Sequence, residues 1–339
     1  MPTSSLRLLL LGLGVSLLPS TLAGQQFEPR AFEGKRWFKG NTHAHTTESD
    51  GDSPPETVAR WYKSHGYQFL VLSDHNVFTD PAKLAALVDS SFLLIGGEEV
   101  TSRFGGKPVH INGLALSAVV APRTDSTLVG TIQRNVDAVR EASGVPHINH
   151  PNFGWAFGIR ELLQVRNDSL LEIHNGHPLV HNEGGDDSPG MEAVWDELLT
   201  QGKRIYGIAV DDAHHFQGEF AGNRANPGRG WVSVAATQLD VQQLMRSLER
   251  GLFYASSGVT LDSIRVSDRS LRIRIRPEGD FKYTTTFIGD RGQILGKAGG
   301  LAPEFRLEST HRTLRYVRAR VDDSGGRKAW VQPVFLRAP

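Results

Sequence analysis

The chain of 339 residues carries 37 basic and 37 acidic side chains, so its formal net charge is zero. A protein without net positive charge has no global field that attracts nucleic acid, so a nucleic acid partner is not expected. Because the sequence contains no cysteine, it excludes disulfides, and any metal ion must be held by imidazole and carboxylate groups rather than by thiolates.

The chain begins with a segment typical of a bacterial secretory signal peptide. Arg7 precedes an apolar run over residues 8–18, and the small residues Thr21 and Ala23 suit cleavage after Ala23. The run is too short for an anchored membrane-spanning helix, which needs ~20 residues. We therefore predict that residues 1–23 are a signal peptide and that the protein is exported, to the periplasm or the extracellular space, without a stable membrane anchor.

The first two thirds of the chain alternate between strand and helix patterns. Apolar runs such as YQFLVLSDH and SFLLIGGEE indicate buried strands, and segments such as PPETVARWYKSHG and GTIQRNVDAVREASG indicate helices between them. This alternation predicts a parallel sheet, either a closed barrel or a doubly wound sheet. After about Leu261 the pattern changes to short runs of period two, which predicts a small antiparallel β-sandwich-like domain over residues 261–339.

The stretch NTHAHTTESDGD places His43 and His45 two residues apart at the end of a predicted strand. Side chains at this spacing point to the same side of a strand, so both can bind one ion. The later strands of the first unit also end in imidazoles or carboxylates, and a barrel gathers these ends at one mouth. The candidate metal ligands are His43, His45, Asp50, His75, Glu99, His110, His150, Asp212 and His214.

Nine candidate ligands exceed the requirement of a single ion. A catalytic zinc ion takes about three protein ligands and leaves one position open for water. The set therefore predicts two or three divalent ions, with one carboxylate bridging two of them. Two ions about 4 Å apart can share a hydroxide and stabilise both the attacking and the leaving oxygen. Because the sequence contains no G-x-S-x-G motif, we expect metal-bound water to be the nucleophile.

The motifs HAHTTESDG, SDHN, GGEEVT, HINGLAL, NHPN and DDAH together resemble, in order, those of the PHP (polymerase and histidinol phosphatase) superfamily. The resemblance implies a distorted (β/α)7 TIM-like barrel over residues 35–258, with two or three manganese, iron or zinc ions. The ending YVRARVDDSGGRKAWVQPVF is similar to that of secreted members with a β-rich C-terminal segment. That subgroup includes aryl carbamate hydrolases.

The resemblance also implies how the ligands divide among the ions: a first ion on His43, His45, Glu99 and Asp212; a second, bridged by Glu99, on His110 and His150; and a third on Asp50, His75 and His214. Glu99, Asp212 and His214 are the predicted catalytic groups. The acid pairs Glu98–Glu99 and Asp211–Asp212 leave the register open. The patterns Gly-x-Glu and Asp-x-His favour Glu99 and Asp212.

Phosphoester hydrolysis is the leading functional prediction, and carbamate or amide hydrolysis by the same metal centre is the alternative. Loop cations would bind a phosphate, whereas aromatic residues beside His150 would line an apolar pocket. A third hypothesis, from another class, is a secreted binding protein whose metals are structural. The residues concerned are Arg103, Lys107, Arg224 and Arg229 for phosphate, Phe153, Trp155 and Phe157 for the pocket, and Asn175, His174 and His215 as further groups facing the site. For both hydrolase predictions the expected partner is a small-molecule substrate.

Overall fold

The computed structural model describes Met1 and residues 25–337, with the exception of residues 186, 309 and 312. From residue 2 onward the predicted signal peptide lies outside the described residues. Within the described part, none of the helices combines the length and the apolar character needed to cross a membrane.

Short helices and many strands make up the fold. In the described residues the α-helices are α1 (Pro55–Ser64), α2 (Leu128–Glu141), α3 (Ile159–Leu162), α4 (Met191–Thr200) and α5 (Val241–Glu249). The strands up to the last α-helix are β1 (Gln26–Phe27), β2 (Arg36–Asn41), β3 (Phe69–Val71), β4 (Leu93–Ile95), β5 (Gly97–Phe104), β6 (Lys107–Leu114), β7 (Val145–Ile148), β8 (Leu170–Asn175), β9 (Gly184–Gly185), β10 (Ser188–Pro189), β11 (Tyr206–Val210) and β12 (Trp231–Ala236). The strands after it are β13 (Phe253–Ser256), β14 (Leu261–Val266), β15 (Ser270–Ile275), β16 (Tyr283–Ile288), β17 (Ile294–Gly299), β18 (Glu304–Arg306), β19 (Tyr316–Asp323) and β20 (Lys328–Arg337). Three 3-10 helices cover Pro81–Leu87, Phe153–Trp155 and Asp290–Gly292.

The strands in the first two thirds of the chain are divided between two large sheets. One runs in the order β11-β8-β7-β6-β5, and the other in the order β17-β16-β19-β20-β13-β12-β2-β3-β4, with β1 paired to β20. Isolated parallel bridges, between Ala44 and Ala213 and between His75 and Glu99, connect the two sheets. The mixed α/β class is confirmed, but no sheet in the described residues closes into the predicted (β/α)7 barrel.

The prediction of a parallel sheet holds only for some neighbouring strands. β2, β3 and β4 are parallel to one another, as are β7, β8 and β11. In contrast, β6 is antiparallel to both of its neighbours, β5 and β7. The reason is the turn at Gly105 and Gly106, whose φ angles of 56° and 81° are in the left-handed region that glycine adopts without strain. This turn makes β5 and β6 a hairpin, so no crossover helix separates them.

The C-terminal strands alternate as the sequence predicts. In β15 the side chains of Leu271, Ile273 and Ile275 are buried, whereas Arg272 and Arg274 between them are exposed. The sheet β14-β15-β18 packs against β16, β19 and β20 around one apolar core. Because β20 also pairs with β13, the C-terminal strands extend a sheet that begins in the first unit.

Helix α2 shows how local sequence and packing agree. The Thr127 side chain accepts a hydrogen bond from the Gly130 N–H at 2.9 Å, which caps the first turn. Ile132, Val136 and Val139 follow at helical spacing and are fully buried in the core. Burial of each such side chain contributes about 1.5–3 kcal/mol to folding. The helix packs on β6 and β7, the strands that carry His110 and lead to His150.

Candidate metal centre

Strand ends bring most of the candidate ligands to one place. His43 and His45 follow β2, His150 follows β7, and Asp212 and His214 follow β11. These three strands are neighbours or are bridged at this edge, through Ala44–Ala213 and the β7–β8–β11 pairing. The mouth that the sequence predicts therefore exists, although the sheets around it are not closed.

His110 reaches the same place by another route. The sequence suggested a strand end, but His110 lies in the middle of the antiparallel strand β6 and pairs with Thr101 of β5. Glu99 lies near the start of β5, directly after the short strand β4. Because the chain reverses direction between β5 and β6, the hairpin places both Glu99 and His110 beside the other ligands.

The structure brings all nine candidate ligands together. In each of four overlapping groups, one nitrogen or oxygen atom per residue lies within 4.8 Å of the others. The groups are His45, Asp50, His75 and His214; His43, His45 and Asp212; His43, Glu99 and His150; and His75, Glu99 and His110.

Glu99 is at the centre of this arrangement, and Glu98 is not. The Glu99 carboxylate approaches five imidazoles to between 2.7 and 3.6 Å, and these belong to His43, His45, His75, His110 and His150. Burial alone would raise the pKa of Glu99, but the imidazoles around it, His110 and His43 above all, hold that pKa well below its usual range. Glu98 points away and accepts a hydrogen bond from the Val120 N–H at 2.5 Å. Its burial raises its pKa to about 7.

Of the neighbouring residues Asp211 and Asp212, likewise, only Asp212 lies at the centre. Asp212 lies 3.2 Å from His43 Nε2 and 3.1 Å from His45 Nε2. Its φ angle of 49° is a left-handed conformation, which a short polar side chain tolerates better than most and which often marks a functional position. Asp211 instead accepts hydrogen bonds from the backbone N–H groups of Arg229 and Gly230 and from the Tyr62 hydroxyl. The structure therefore assigns Asp212 to the site and Asp211 to the fold.

The group that contains Asp50, His75 and His214 is more exposed to solvent than the other three groups. The side chain of Asp50 is 53% exposed, whereas those of His75 and His214 are 27% and 14% exposed. Burial alone would lower the pKa of His75, but hydrogen bonds with Asp50 and Glu99 raise it to about 10. This group therefore opens the centre toward solvent.

Sequence reasoning missed Glu172, which supports the centre from behind. Its carboxylate accepts hydrogen bonds from His43 Nδ1 at 2.6 Å, from the His150 N–H at 2.9 Å and from Asn175 Nδ2 at 2.9 Å. A carboxylate bonded to Nδ1 fixes the tautomer, so the lone pair of His43 is on Nε2. The signal was present: a carboxylate inside the apolar strand LLEIHN must find a buried partner.

The side chains present fit divalent metal ions. Several buried atoms of the centre make no hydrogen bond of good geometry, although other members of the centre lie close to them: Glu99 Oε2, Asp212 Oδ1 and both ring nitrogens of His110. Buried polar atoms in native proteins are almost always paired, so this concentration of unpaired acceptors calls for a ligand. Imidazole and carboxylate groups suit zinc, manganese and iron.

A cavity of about 180 Å³ opens onto the centre. Seven of the candidate ligands line it, together with Phe153, His177 and Leu179. Phe153 is the only member of the predicted aromatic set that reaches this lining, because Trp155 stacks on His181 and Phe157 is buried in the core.

The predicted phosphate-binding cations do not line the cavity. The Arg224 guanidinium bonds to Asp52 and to the Gln217 carbonyl, and that of Arg229 bonds to the carbonyls of Gly176 and Ala221. Arg103 bonds weakly to the Gly106 carbonyl, in the exposed β5–β6 turn that also contains Lys107. In the described chain, no lysine or arginine is among the lining residues.

Of the remaining polar candidates, one lies at the site and two do not. Asn175 is at the site, where its Nδ2 donates to Asp212 Oδ2 at 3.1 Å as well as to Glu172. His174 points to the opposite face of β8 and stacks on Trp330 with ring centroids 5.3 Å apart. His215 accepts a hydrogen bond from the Ala225 N–H in the loop after β11. Asn175 therefore positions carboxylates, while the two histidines belong to the surroundings.

Comparison with known proteins supports the fold. No model of a known protein family matches the chain. A two-domain protein from Bacteroides vulgatus, described as containing a predicted PHP-like metal-dependent phosphoesterase, has a TM-score of 0.52 at 16% identity and covers 91% of this chain and 98% of its own. A 5′-3′ exoribonuclease of Haemophilus influenzae is 28% identical over 190 residues, which cover 51% of this chain and 67% of the relative.

A third protein, a putative metal-dependent phosphoesterase from Bifidobacterium adolescentis, has a TM-score of 0.40 at 14% identity and covers 59% of this chain and 91% of its own. That score supports no conclusion. The chain thus shares its fold with the Bacteroides protein, in agreement with the predicted resemblance. The resemblance to the subgroup with aryl carbamate hydrolases stays a prediction.

Proposed function

We propose that this protein is a metal-dependent hydrolase that acts on phosphoesters. The observation that carries the proposal is the convergence of nine imidazole and carboxylate ligands around one cavity. A structural metal site is closed by its ligands, whereas these groups overlap and open onto a space that a substrate can enter. The shared fold with a protein described as containing a PHP-like metal-dependent phosphoesterase supports the choice of phosphoesters.

Two or three ions of zinc, manganese or iron would be held by the four groups, with Glu99 shared between two of them. When bound, such ions supply a Lewis acid for the substrate oxygen and lower the pKa of water toward neutrality. The groups that contain Asp212 and His214 would complete the centre on the side of β11. The identity of the metal ions and their number are part of this proposal.

The chain's own residues prepare the site for that chemistry. Glu172 orients His43, and Asn175 joins Glu172 to Asp212. Asp74 accepts hydrogen bonds from the Thr46 N–H and hydroxyl groups and from Ser49, which fixes the loop between His45 and Asp50. Such supporting contacts hold ligands in one geometry and therefore limit the reorganisation that catalysis requires.

Carbamate or amide hydrolysis is the second candidate, and the cavity lining favours it. Phosphate groups are commonly bound by arginine forks or lysine, and neither lines the cavity in the described residues. Phe153 and Leu179 instead give the lining an apolar part. Among phosphoesters, the same observation favours a diester, which carries one negative charge, over a dianionic monoester.

The remaining parts of the proposal concern location and partners. The signal-peptide pattern supports export to the periplasm or the extracellular space. A small-molecule substrate suits a cavity of about 180 Å³. Because one similar protein is named an exoribonuclease, a short RNA is the probe that tests the prediction that nucleic acid is not a partner.

The test is a comparison of initial rates with matched substrates. The mature protein is loaded separately with manganese, zinc or iron, metal content per chain is measured, and 4-nitrophenyl esters are compared as a phosphate monoester, a phosphate diester and an N-methyl carbamate. A short RNA labelled at its 5′ end is added to the panel. We expect the diester to be the best substrate. A preference for the carbamate would select the second candidate, and metal binding without turnover on any substrate would contradict both.

A further inference from the structure

The cavity contains a single hydrogen-bond donor that is not a candidate metal ligand. Of the ten residues that line it, seven are candidate ligands, and the other three are Phe153, His177 and Leu179. Phe153 and Leu179 have no polar side-chain atoms. Within the described lining, therefore, only His177 can bond to a substrate atom that the ions do not reach.

Hydrogen bonds in the loop after β8 fix the tautomer of His177. Its Nδ1 accepts a hydrogen bond from the Leu179 N–H at 3.2 Å, and its backbone N–H donates to Asn175 Oδ1 at 2.8 Å. A neutral imidazole whose Nδ1 accepts carries its proton on Nε2. No described protein group accepts a hydrogen bond from that Nε2–H, so the donor is free for a ligand.

Aromatic neighbours hold the ring in place. The ring centroid of His177 lies 6.4 Å from that of Phe153 and 5.3 Å from that of His214, and both pairs are edge-to-face. His177 belongs to none of the four ligand groups. It is thus beside the centre without being part of it, and its orientation does not depend on an ion.

We propose that His177 is a further catalytic residue, which donates its Nε2–H to the leaving-group oxygen of the substrate. The inference rests on the proposed hydrolase function. His177 and Phe153 lie next to each other in the lining, with their ring centroids 6.4 Å apart, and His177 also lies beside His214; a substrate whose reacting atom faces the ligands can therefore direct its leaving oxygen toward His177. The apolar side chains contact the body of the leaving group, and His177 contacts its oxygen.

The hydrolysis does not require that His177 transfer its proton. Water adds its oxygen to phosphorus, or to the carbamate carbon, and its released proton passes to solvent. The bond to the leaving oxygen breaks, and the electron pair stays on that oxygen. The Nε2–H stabilises the developing negative charge by a hydrogen bond, as donors of an oxyanion hole do.

The test uses leaving groups of increasing basicity. Phenyl, 4-chlorophenyl and 4-nitrophenyl esters are compared in wild type, His177→Ala and His177→Gln. For the phenyl ester we expect His177→Ala to lower kcat by on the order of 10²-fold, which is the loss of one such donor. The loss shrinks toward the 4-nitrophenyl ester, because its weakly basic oxygen needs less stabilisation. His177→Gln keeps an N–H donor and is expected to recover part of the rate on the phenyl ester.

His181→Ala is the matched control. It removes a histidine from the same loop, four positions later, whose ring stacks on Trp155 and does not line the cavity. We expect its rates to follow the wild type for all three leaving groups. An equal loss in His177→Ala across the series, or a loss of bound metal in that variant, would overturn the assignment of His177 to the leaving oxygen.

A binding measurement keeps this test separate from the proposed function. Calorimetry with the metal-loaded protein and 4-nitrophenolate as probe should show about tenfold weaker binding in His177→Ala than in wild type or His181→Ala, which is typical of a lost hydrogen bond to a charged group. If wild type binds the probe and hydrolyses no ester, the hydrolase proposal fails while the contact of His177 stands. Equal binding in all three proteins would refute the contact itself.

Discussion

The described residues contain two clusters of largely buried charge, and they are built differently. The first is the metal centre, defined by the nine candidate ligands. The second, here called the arginine junction, consists of Arg318, Asp196, Tyr316 and Glu192, and it joins α4 to β19. In the junction Arg318 Nε and Nη2 each lie 2.6 Å from an oxygen of Asp196.

The contrast is in how completely the charges are paired. In the junction Tyr316 adds a hydrogen bond to Asp196 at 2.8 Å, and Arg318 Nη1 bonds to Glu192 at 3.1 Å. In the metal centre, one buried oxygen each of Glu99 and Asp212 makes no hydrogen bond of good geometry in the described structure, although imidazoles surround both. A fully paired cluster holds elements together, whereas an unpaired one has acceptors left for ligands. Buried charge alone therefore does not identify a functional site.

The largest effect that separates the clusters is expected from Glu99→Gln. Losing the carboxylate that meets five imidazoles should remove at least one ion and lower turnover by on the order of 10³-fold, since metal stabilisation of the transition state is worth several kcal/mol. Glu99→Gln keeps an oxygen that can accept the hydrogen bond from Asn149 Nδ2, so the unfolding free energy of the metal-free protein should change much less than the turnover does. Metal analysis, initial rates and chemical denaturation with a chelator present measure the three quantities.

Glu98→Gln is the matched control for this prediction. It makes the same chemical change in the adjacent residue, which points away from the centre and bonds to the Val120 N–H. The control should keep its metal and its rate. Similar losses in both variants would mean that Glu99 has no special place in the centre.

For a substitution in the arginine junction we expect the opposite result, a loss of stability without a loss of metal or of turnover. Asp196→Ala leaves the guanidinium of Arg318, which is 1% exposed, without its main partner, and this should cost about 3–5 kcal/mol of unfolding free energy. The metal content and turnover of the folded molecules should stay at the wild-type level. Glu141→Ala, which breaks the exposed pair with Arg123, is the control and should change the unfolding free energy far less, because solvent screens that pair. A loss of metal in Asp196→Ala would show that the two clusters are coupled.

The sequence is informative wherever periodicity determines position. The i, i+2 spacing places His43 and His45 on one side, and the alternation in β15 places its arginines outside, because both follow from strand geometry alone. Eight of the nine ligands could be collected for the same reason, since each stands at or near an apolar strand, and Asp50 follows in the turn after His45. These predictions needed no knowledge of how the strands are ordered.

Other features depend on contacts that no periodicity encodes. Gly105 and Gly106 are a hairpin signal, but the strand–helix alternation around them favoured a parallel arrangement. The loop arginines Arg224 and Arg229 bond to backbone carbonyls of their own neighbourhood, and those bonds depend on a loop conformation that the sequence pattern does not specify. Pairing order and loop conformation are therefore where prediction from this sequence ends.

A smaller effect should follow from Glu172→Gln, which changes the support of the centre rather than a ligand. The variant keeps the size of the side chain but weakens the hydrogen bond that orients His43. Loss of such a partner typically lowers metal affinity by about 10–100-fold. Competition with a metal-binding dye measures the affinity, and the rate at saturating metal should recover more than in Glu99→Gln. An unchanged affinity would place Glu172 outside the support of the centre.

The smallest effect concerns His174, which connects β8 to the C-terminal strand β20. Its ring stacks on Trp330, and Nε2 donates to the Arg229 carbonyl at 3.1 Å. Burial lowers the pKa of His174 below its usual value near 6.5. The unfolded chain therefore binds a proton below about pH 6.5 that the folded protein resists, so this contribution to stability is complete above that pH and is lost as the pH falls.

His174→Gln removes the titration while its amide can still donate to the Arg229 carbonyl. With a chelator present, the unfolding free energy of wild type should fall relative to the variant as the pH drops below about 6.5, with a slope of at most about 1.4 kcal/mol per pH unit. His65→Gln, at an exposed residue directly after α1, is the control, and its curve should follow that of wild type. Parallel curves for wild type and His174→Gln would mean that the junction of β8 with β20 tolerates a charged imidazole. The contact would then resemble the arginine junction, which accommodates charge, rather than an apolar contact.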